Sequence, residues 1–263
     1  MRISNYRCLL FDLDGTLLRS DKTMSARTRR ALDTCRDRGL LIGICTNRGE
    51  SRARSCLKSI RPDVVIASGG ALVRCKGEIV LQAELSPEET VHVLGVIRQV
   101  CGPDPEITMD TMAAHYQNFK YDPTVTDESW SDSVYCDFDH YKGPALKIST
   151  EITDETFRAL TAALPACDCL RHSEVDWCKI TKKNVTKEAA LKAVCRALGL
   201  GQEEIVAFGD DTPDIEILRL CGLGVAMGNA IPAVKAAADE VIGTNDEDGI
   251  AAWVEAAFHE ETV

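Results

Sequence analysis

The sequence predicts an α/β fold, a doubly wound parallel sheet interrupted by an inserted α+β domain. Three observations lead there. Short apolar runs alternate with helical periodicity at both ends of the chain. Two of those runs lead straight into aspartate clusters. Between the two ends the texture changes, with Tyr- and Trp-bearing irregular stretches mixed among helix and strand signals. A chain of 263 residues has room for one large domain or two modest ones.

Taken in order, Cys8-Leu9-Leu10-Phe11 is continuously apolar, as a strand buried on both faces requires. Residues 25–38 read as a helix closed by Gly39, 40–45 as a second buried strand and 63–67 as a third. That β-α-β-α-β order implies parallel strands whose ligands bind at their carboxyl ends. The pattern resumes at 186–198, where Leu191, Val194, Cys195 and Leu198 fall at helical spacing before Gly199. Strands at 205–208 and 224–227 then alternate with helices at 214–220 and 231–238, and 241–242 and 250–258 complete the series. In the middle, helix candidates at 87–100 and 154–164 are each followed by strand candidates, at 146–149 and 175–180. The expected division is therefore a core of residues 1–83 and 181–263 with an insertion at 84–180.

Composition removes several functional classes. Thirty basic against 41 acidic residues give a net charge of -11, so the chain has no bulk attraction for nucleic acid or an anionic membrane. No segment approaches the ~18 uncharged apolar residues of a membrane span. The amino terminus, with Arg2, Arg7 and a polar Ser4-Asn5, lacks the apolar centre of a secretory signal. Twelve cysteines lie mostly in apolar runs, as buried thiols do, and Cys167 with Cys169 has no matching His or Cys cluster for zinc. A reduced, cytoplasmic protein is expected.

The chemistry concentrates at strand ends. Asp12 and Asp14, in Phe11-Asp12-Leu13-Asp14-Gly15-Thr16, project two carboxylates into the ligand crevice, and Gly15 permits the turn away from the sheet. Carboxylates so close repel unless a cation or shared proton offsets them, and magnesium prefers such hard oxygens. One could attack phosphorus while the other handles the leaving-group proton. An Asp-Gly turn without function is the plain alternative. Gly209-Asp210-Asp211-Thr212-Pro213-Asp214 repeats the arrangement after another strand. Helix capping accounts for Thr212-Pro213, but not for two separate strands ending in acid. Thr46-Asn47-Arg48 follows the second strand and offers a hydroxyl and backbone N–H groups to an anion, although taken by itself Thr46 reads first as the cap of a helix starting near Gly49. Lys187 opens the helix at 186–198, where the dipole disfavours a cation, which hints at an anionic partner, although a solvated surface lysine is the commoner reading of such a position.

Together these four elements resemble the ordered motifs of the haloacid dehalogenase-like (HAD) hydrolase superfamily. Gly224-Val225-Ala226-Met227-Gly228-Asn229-Ala230, Ala238-Asp239, Asp248-Gly249 and Ser68-Gly69-Gly70-Ala71 are similar to its Cof-type sugar-phosphate phosphatases, which carry a large α/β cap. The resemblance covers residues 7–82 and 180–258. It implies a Rossmann-like core and a substrate-selecting cap. It makes Asp12 the nucleophile that becomes an aspartyl-phosphate, and Asp14 the acid and then base. Thr46 and the Asn47 amide would bind the phosphoryl oxygens, with Lys187 neutralising charge. Asp12, the Asp14 carbonyl, Asp210 and Asp214 would hold Mg2+. The implied substrate is a small phosphorylated metabolite, a sugar phosphate by that likeness, with a phosphomutase or a silent metabolite-binding protein as alternatives. Two departures stand out: Pro213 replaces an Asn, and Glu188 replaces a Gly, adding an acid beside the phosphate site. The cap carries no comparable motif. His115, Tyr116, Trp130, Tyr135 and Tyr141 are expected mostly to fill its core, and Arg48 to lie on the surface. Oligomeric state is not legible.

Overall fold

The computed structural model of the chain describes residues 3–120, 133–172 and 175–260. Its strands are β1 (Cys8–Phe11), β2 (Leu41–Cys45), β3 (Val64–Ala67), β4 (Leu72–Cys75), β5 (Glu78–Gln82), β6 (Ile107–Asp110) and β7 (His115–Gln117). They continue as β8 (Val134–Tyr135), β9 (Lys147–Glu151), β10 (Cys167–Arg171), β11 (Trp177–Lys182), β12 (Ile205–Gly209), β13 (Leu223–Ala226) and β14 (Glu240–Val241). The helices are α1 (Ala26–Asp37), α2 (Arg54–Ile60), α3 (Pro87–Cys101), α4 (Asp154–Ala163), α5 (Lys187–Leu198), α6 (Ile215–Leu220), α7 (Pro232–Ala237) and α8 (Gly249–Glu260). None of them is long and apolar enough to cross a membrane.

One sheet runs β14-β13-β12-β1-β2-β3-β4-β5, parallel from β14 to β3. The core strands β1, β3, β12 and β13 are buried throughout, which is why they read as unbroken apolar runs. Phe11 stacks on Phe208 across β1 and β12, with ring centroids 4.6 Å apart. Helix starts follow local chemistry. Ser25 accepts from the Thr28 amide at 2.9 Å, and Ser86 and Glu89 form a reciprocal capping box ahead of Pro87. The β4–β5 hairpin adds two strands to the three expected in this half of the core. The two strands extend it antiparallel, and outer β5 is largely exposed, so it lacks the apolar run of its neighbours.

The second sheet runs β10-β11-β9-β6-β7-β8 and is antiparallel except for the last pair. Alternation gives it two unlike faces. Ile107, Met109, Ile148, Cys178 and Ile180 pack with Val93, Ile97 and Leu160 from α3 and α4. The other face is buried but polar, presenting Asp110, Lys147 and Lys179 to the first sheet's loops. There Asp110 pairs with Lys147 at 2.9 Å and His115 Nδ1 at 2.6 Å, and accepts from the Ser68 hydroxyl at 3.0 Å. Lys147 also donates to the Asn47 carbonyl oxygen at 2.7 Å, so one buried knot ties the two sheets together.

Burial pushes the Asp110 carboxyl up, but Lys147 and His115 outweigh it and hold the group well below the usual carboxylate range. Asp110→Asn would leave Lys147 buried without its counter-charge, an expected loss of about 3–5 kcal/mol. A depressed folded pKa stabilises the fold fully above the unfolded value, near ~3.9, and progressively less as pH falls below it. The gap in urea midpoint between native protein and variant should thus be full at neutral pH and shrink in acid. A gap that ignores pH would remove Asp110 from this role.

Candidate active site

Parallel strands β2, β1 and β12 lie side by side, so the loops leaving their carboxyl ends converge. Asp12 leaves β1, Thr46 leaves β2, and Asp210 and Asp214 follow β12. Lys187 reaches the same point from the first turn of α5. Its buried ammonium donates to Asp12 at 2.8 Å, to Asp214 at 2.7 Å and to the Cys45 carbonyl oxygen at 3.0 Å. The cation that sits badly in a helix's first turn is thus held by two carboxylates, whose attraction keeps it charged despite burial.

Asp12, Asp210 and Asp214 each place a carboxylate oxygen within 4.8 Å of the others. Gly15, at φ 75, lets the chain turn against this cluster, and a Cβ there would collide with the Asp210 carboxylate. Asp210 accepts from the Thr16 hydroxyl at 2.5 Å, while Asp214 accepts from the amides of Asp210 and Asp211 at 3.1 and 3.3 Å. Burial pushes the Asp210 carboxyl up to about 7, and Asp214 and Asp211 add to the rise against the Thr16 bond. Burial likewise lifts Asp12 well above its usual range, because Lys187 is shared and Asp214 and Asp210 repel it. Three acids around one lysine leave an excess of negative charge among hard oxygens. The donor set fits a divalent cation.

Asp14 turns elsewhere. Its carboxylate takes a two-point clamp from Arg48, at 2.7 and 2.6 Å, and a third bond from Lys22 at 2.9 Å. Burial favours the neutral acid, but Arg48 and then Lys22 overcome it and hold the carboxyl down at about 2. Arg48 is itself only 7% exposed, which corrects its expected surface position. The signal was available: it stands two residues past Thr46 at the end of a strand adjoining the one that carries Asp14.

Thr46 is buried and caps no helix, since α2 begins only at Arg54; its oxygen accepts instead from the Arg48 amide at 3.1 Å. The Asn47 amide has no hydrogen-bond partner among the described residues and is available to an anion. Glu188 adds no free acid: it pairs with Lys192 one turn on, at 2.5 Å. Pro213 lies inside a short 3-10 turn that presents Asp214. The distal likeness positions serve as supports. Asn229 donates to the Gly15 carbonyl oxygen at 2.7 Å, Asp239 accepts from the Gly224 amide at 2.8 Å, and Asp248 pairs with Arg19 at 2.8 Å. Of the aromatic candidates, Tyr116 and Tyr141 meet edge to face at 5.9 Å, Tyr135 is exposed, and Trp130 lies outside the described residues.

A family model described as haloacid dehalogenase-like hydrolase matches residues 9–254. Stress response protein YhaX of Bacillus subtilis is 29% identical over 95% of this chain and 92% of its own length. The HMP-PP phosphatase of Cronobacter sakazakii is 28% identical over 86% of this chain and 85% of its own. Among solved structures, the HAD subclass IIB sugar phosphatase BT4131 superposes with a TM-score of 0.80 at 25% identity, covering 98% of this chain and 100% of that one.

The clamp on Asp14 makes a spectroscopic prediction. In Arg48→Met, burial acts against Lys22 alone, so the Asp14 carboxyl should titrate well above its present value of about 2. Carboxyl-carbon NMR across an acid titration checks this, and an unmoved midpoint would show that Arg48 does not control the group.

Proposed function

We propose, for a chain that belongs to the haloacid dehalogenase-like hydrolase family and is a phosphoric monoester hydrolase, that it hydrolyses small phosphorylated metabolites of the sugar-phosphate class through a phosphorylated Asp12. One observation carries the reading: a carboxylate at the end of β1 held by a buried lysine beside two further acids from β12.

In this proposal the ionised Asp12 attacks phosphorus as the bond to the leaving oxygen breaks, and Asp14 gives that oxygen a proton. Water then attacks phosphorus, Asp14 takes its proton, and inorganic phosphate leaves Asp12 free. The Thr46 hydroxyl and Asn47 amide bind the phosphoryl oxygens, and Lys187 offsets their charge. Arg48 and Lys22 keep Asp14 ionised, the form that accepts a proton from water. When substrate charge draws those cations off, burial favours the protonated form needed for the leaving group. Asp12, Asp210 and Asp214, with the Asp14 carbonyl, would hold Mg2+. That ion supplies positive charge to the phosphoryl oxygens and relieves the repulsion among the acids. Residues 84–180 act as a cap that selects the leaving group, on a catalytic core of 1–83 and 181–263. The net charge of -11 suits a small-molecule substrate better than a nucleic acid, and the reading places the reaction in the cytoplasm.

Phosphate release from a panel of phosphorylated sugars, nucleotides and cofactors tests the reading. Asp12→Asn, nearly isosteric, should lower turnover at least about a thousandfold with the fold intact. Exhaustive chelation should stop release and magnesium should restore it. Full activity in the metal-free protein, or in the Asn variant, would refute the assignment.

A further inference from the structure

The polar face of the second sheet holds more charge than the catalytic scheme uses. Neighbouring strands β9 and β11 place Lys179 opposite Ser149, two residues from Lys147 and on the same face. Lys147 is satisfied by Asp110 and the Asn47 carbonyl. Lys179 is not. It is only 5% exposed, and its ammonium finds a single long contact, to the Asn47 side-chain oxygen at 3.4 Å. No carboxylate pairs with it among the described residues.

A buried ammonium without a counter-ion is costly, and ordinary folds either pair it or expose it. This one is seated deliberately. Gly69, at φ 67, brings its main chain so close that a Cβ there would strike the Lys179 ammonium. Burial, with Lys147 and Lys187 nearby, pulls the group down to about 7, the expected response of a cation lacking its anion. Two further polar atoms of the same sheet, the Thr181 hydroxyl and the Gln117 side-chain oxygen, are buried without a hydrogen-bond partner. Both suit the hydroxyls of a polyol. The position relative to the chemistry matters as well. Lys179 touches the side chain of Asn47, whereas the acids around the reacting phosphorus are engaged by Lys187. Because it comes from the inserted domain and reaches Asn47 rather than the acids, the leaving portion of a bound ester is the part it would meet.

We propose that Lys179 binds a second anionic group, a carboxylate or another phosphate, on the leaving portion of the substrate, making the preferred class phosphorylated sugar acids or sugar bisphosphates rather than neutral sugar monophosphates. The inference rests on the phosphatase reading above and narrows its substrate.

The test compares kcat/KM for glucose 6-phosphate, 6-phosphogluconate, fructose 1,6-bisphosphate and p-nitrophenyl phosphate in the native protein, Lys179→Met and Lys179→Arg. Methionine removes a buried charge at similar volume, so the variant should fold at least as stably, which its melting temperature checks. The native protein should prefer the two doubly anionic substrates, and the one it favours more identifies carboxylate or phosphate as the second group. Lys179→Met should lose about a hundredfold on those two and change less than about threefold on the others. Lys179→Arg should retain the preference. Equal loss on all four would place Lys179 at the transferred phosphoryl group, and no loss would make it structural; either result overturns the inference while leaving the phosphatase reading intact. Absence of phosphate release from all four by the native protein would overturn both.

Discussion

The fold is organised around one electrostatic problem: parallel strands that end together also bring their acids together. Asp12, Asp210 and Asp214 approach because β1 and β12 are neighbours in register. The bridge from Lys187 to Asp12 and Asp214 makes that approach tolerable in a buried setting. Its consequences reach outward. The start of α5 is fixed by where its first residue must go, with Thr186 capping the helix by accepting from the Ala189 amide at 3.1 Å. Cys45 contributes a carbonyl oxygen rather than its thiol, which burial pushes up to about 12 and leaves inert. The remaining excess of negative charge is what a divalent cation would answer.

Much of the first sheet was legible in the sequence, because strands buried on both faces must be apolar throughout. Residues 8–11, 205–208 and 63–67 could hardly be anything else. The second sheet was far less so. Its strands carry Thr108, Ser149, Thr150, Lys179 and Thr181 at buried positions, and burial of polar side chains erases the contrast on which periodicity depends. The strands expected at 146–149 and 175–180 still overlap β9 and β11, whereas β6, with Thr108 and Asp110 buried, and β7, with His115 and Gln117 buried, left no clear trace, and outer strand β5 was hidden by the opposite effect, exposure.

The site shows the same division. Acids and a lysine at strand and helix ends are visible because their positions conflict with ordinary capping or turn chemistry. Pairing is not visible, since it depends on which segments the topology makes adjacent. Arg48 read as surface because its partner, Asp14, lies on a different strand end. The Asp110–Lys147 pair joins two strands of an antiparallel sheet that the sequence barely announced.

Asn47 deserves a last consequence. Its carbonyl is gripped by Lys147 and its side chain touches Lys179, both from the second sheet, while its own amide has no hydrogen-bond partner among the described residues. One residue is thus held by the second sheet through its carbonyl and side chain, while it sits in the loop that leaves β2 of the first. Any separation of the two sheets would have to break the Lys147 bond, and so would disturb the residue whose amide is proposed to bind phosphate. On the proposed function, letting go of the anion and opening the exit would then be coupled through one residue.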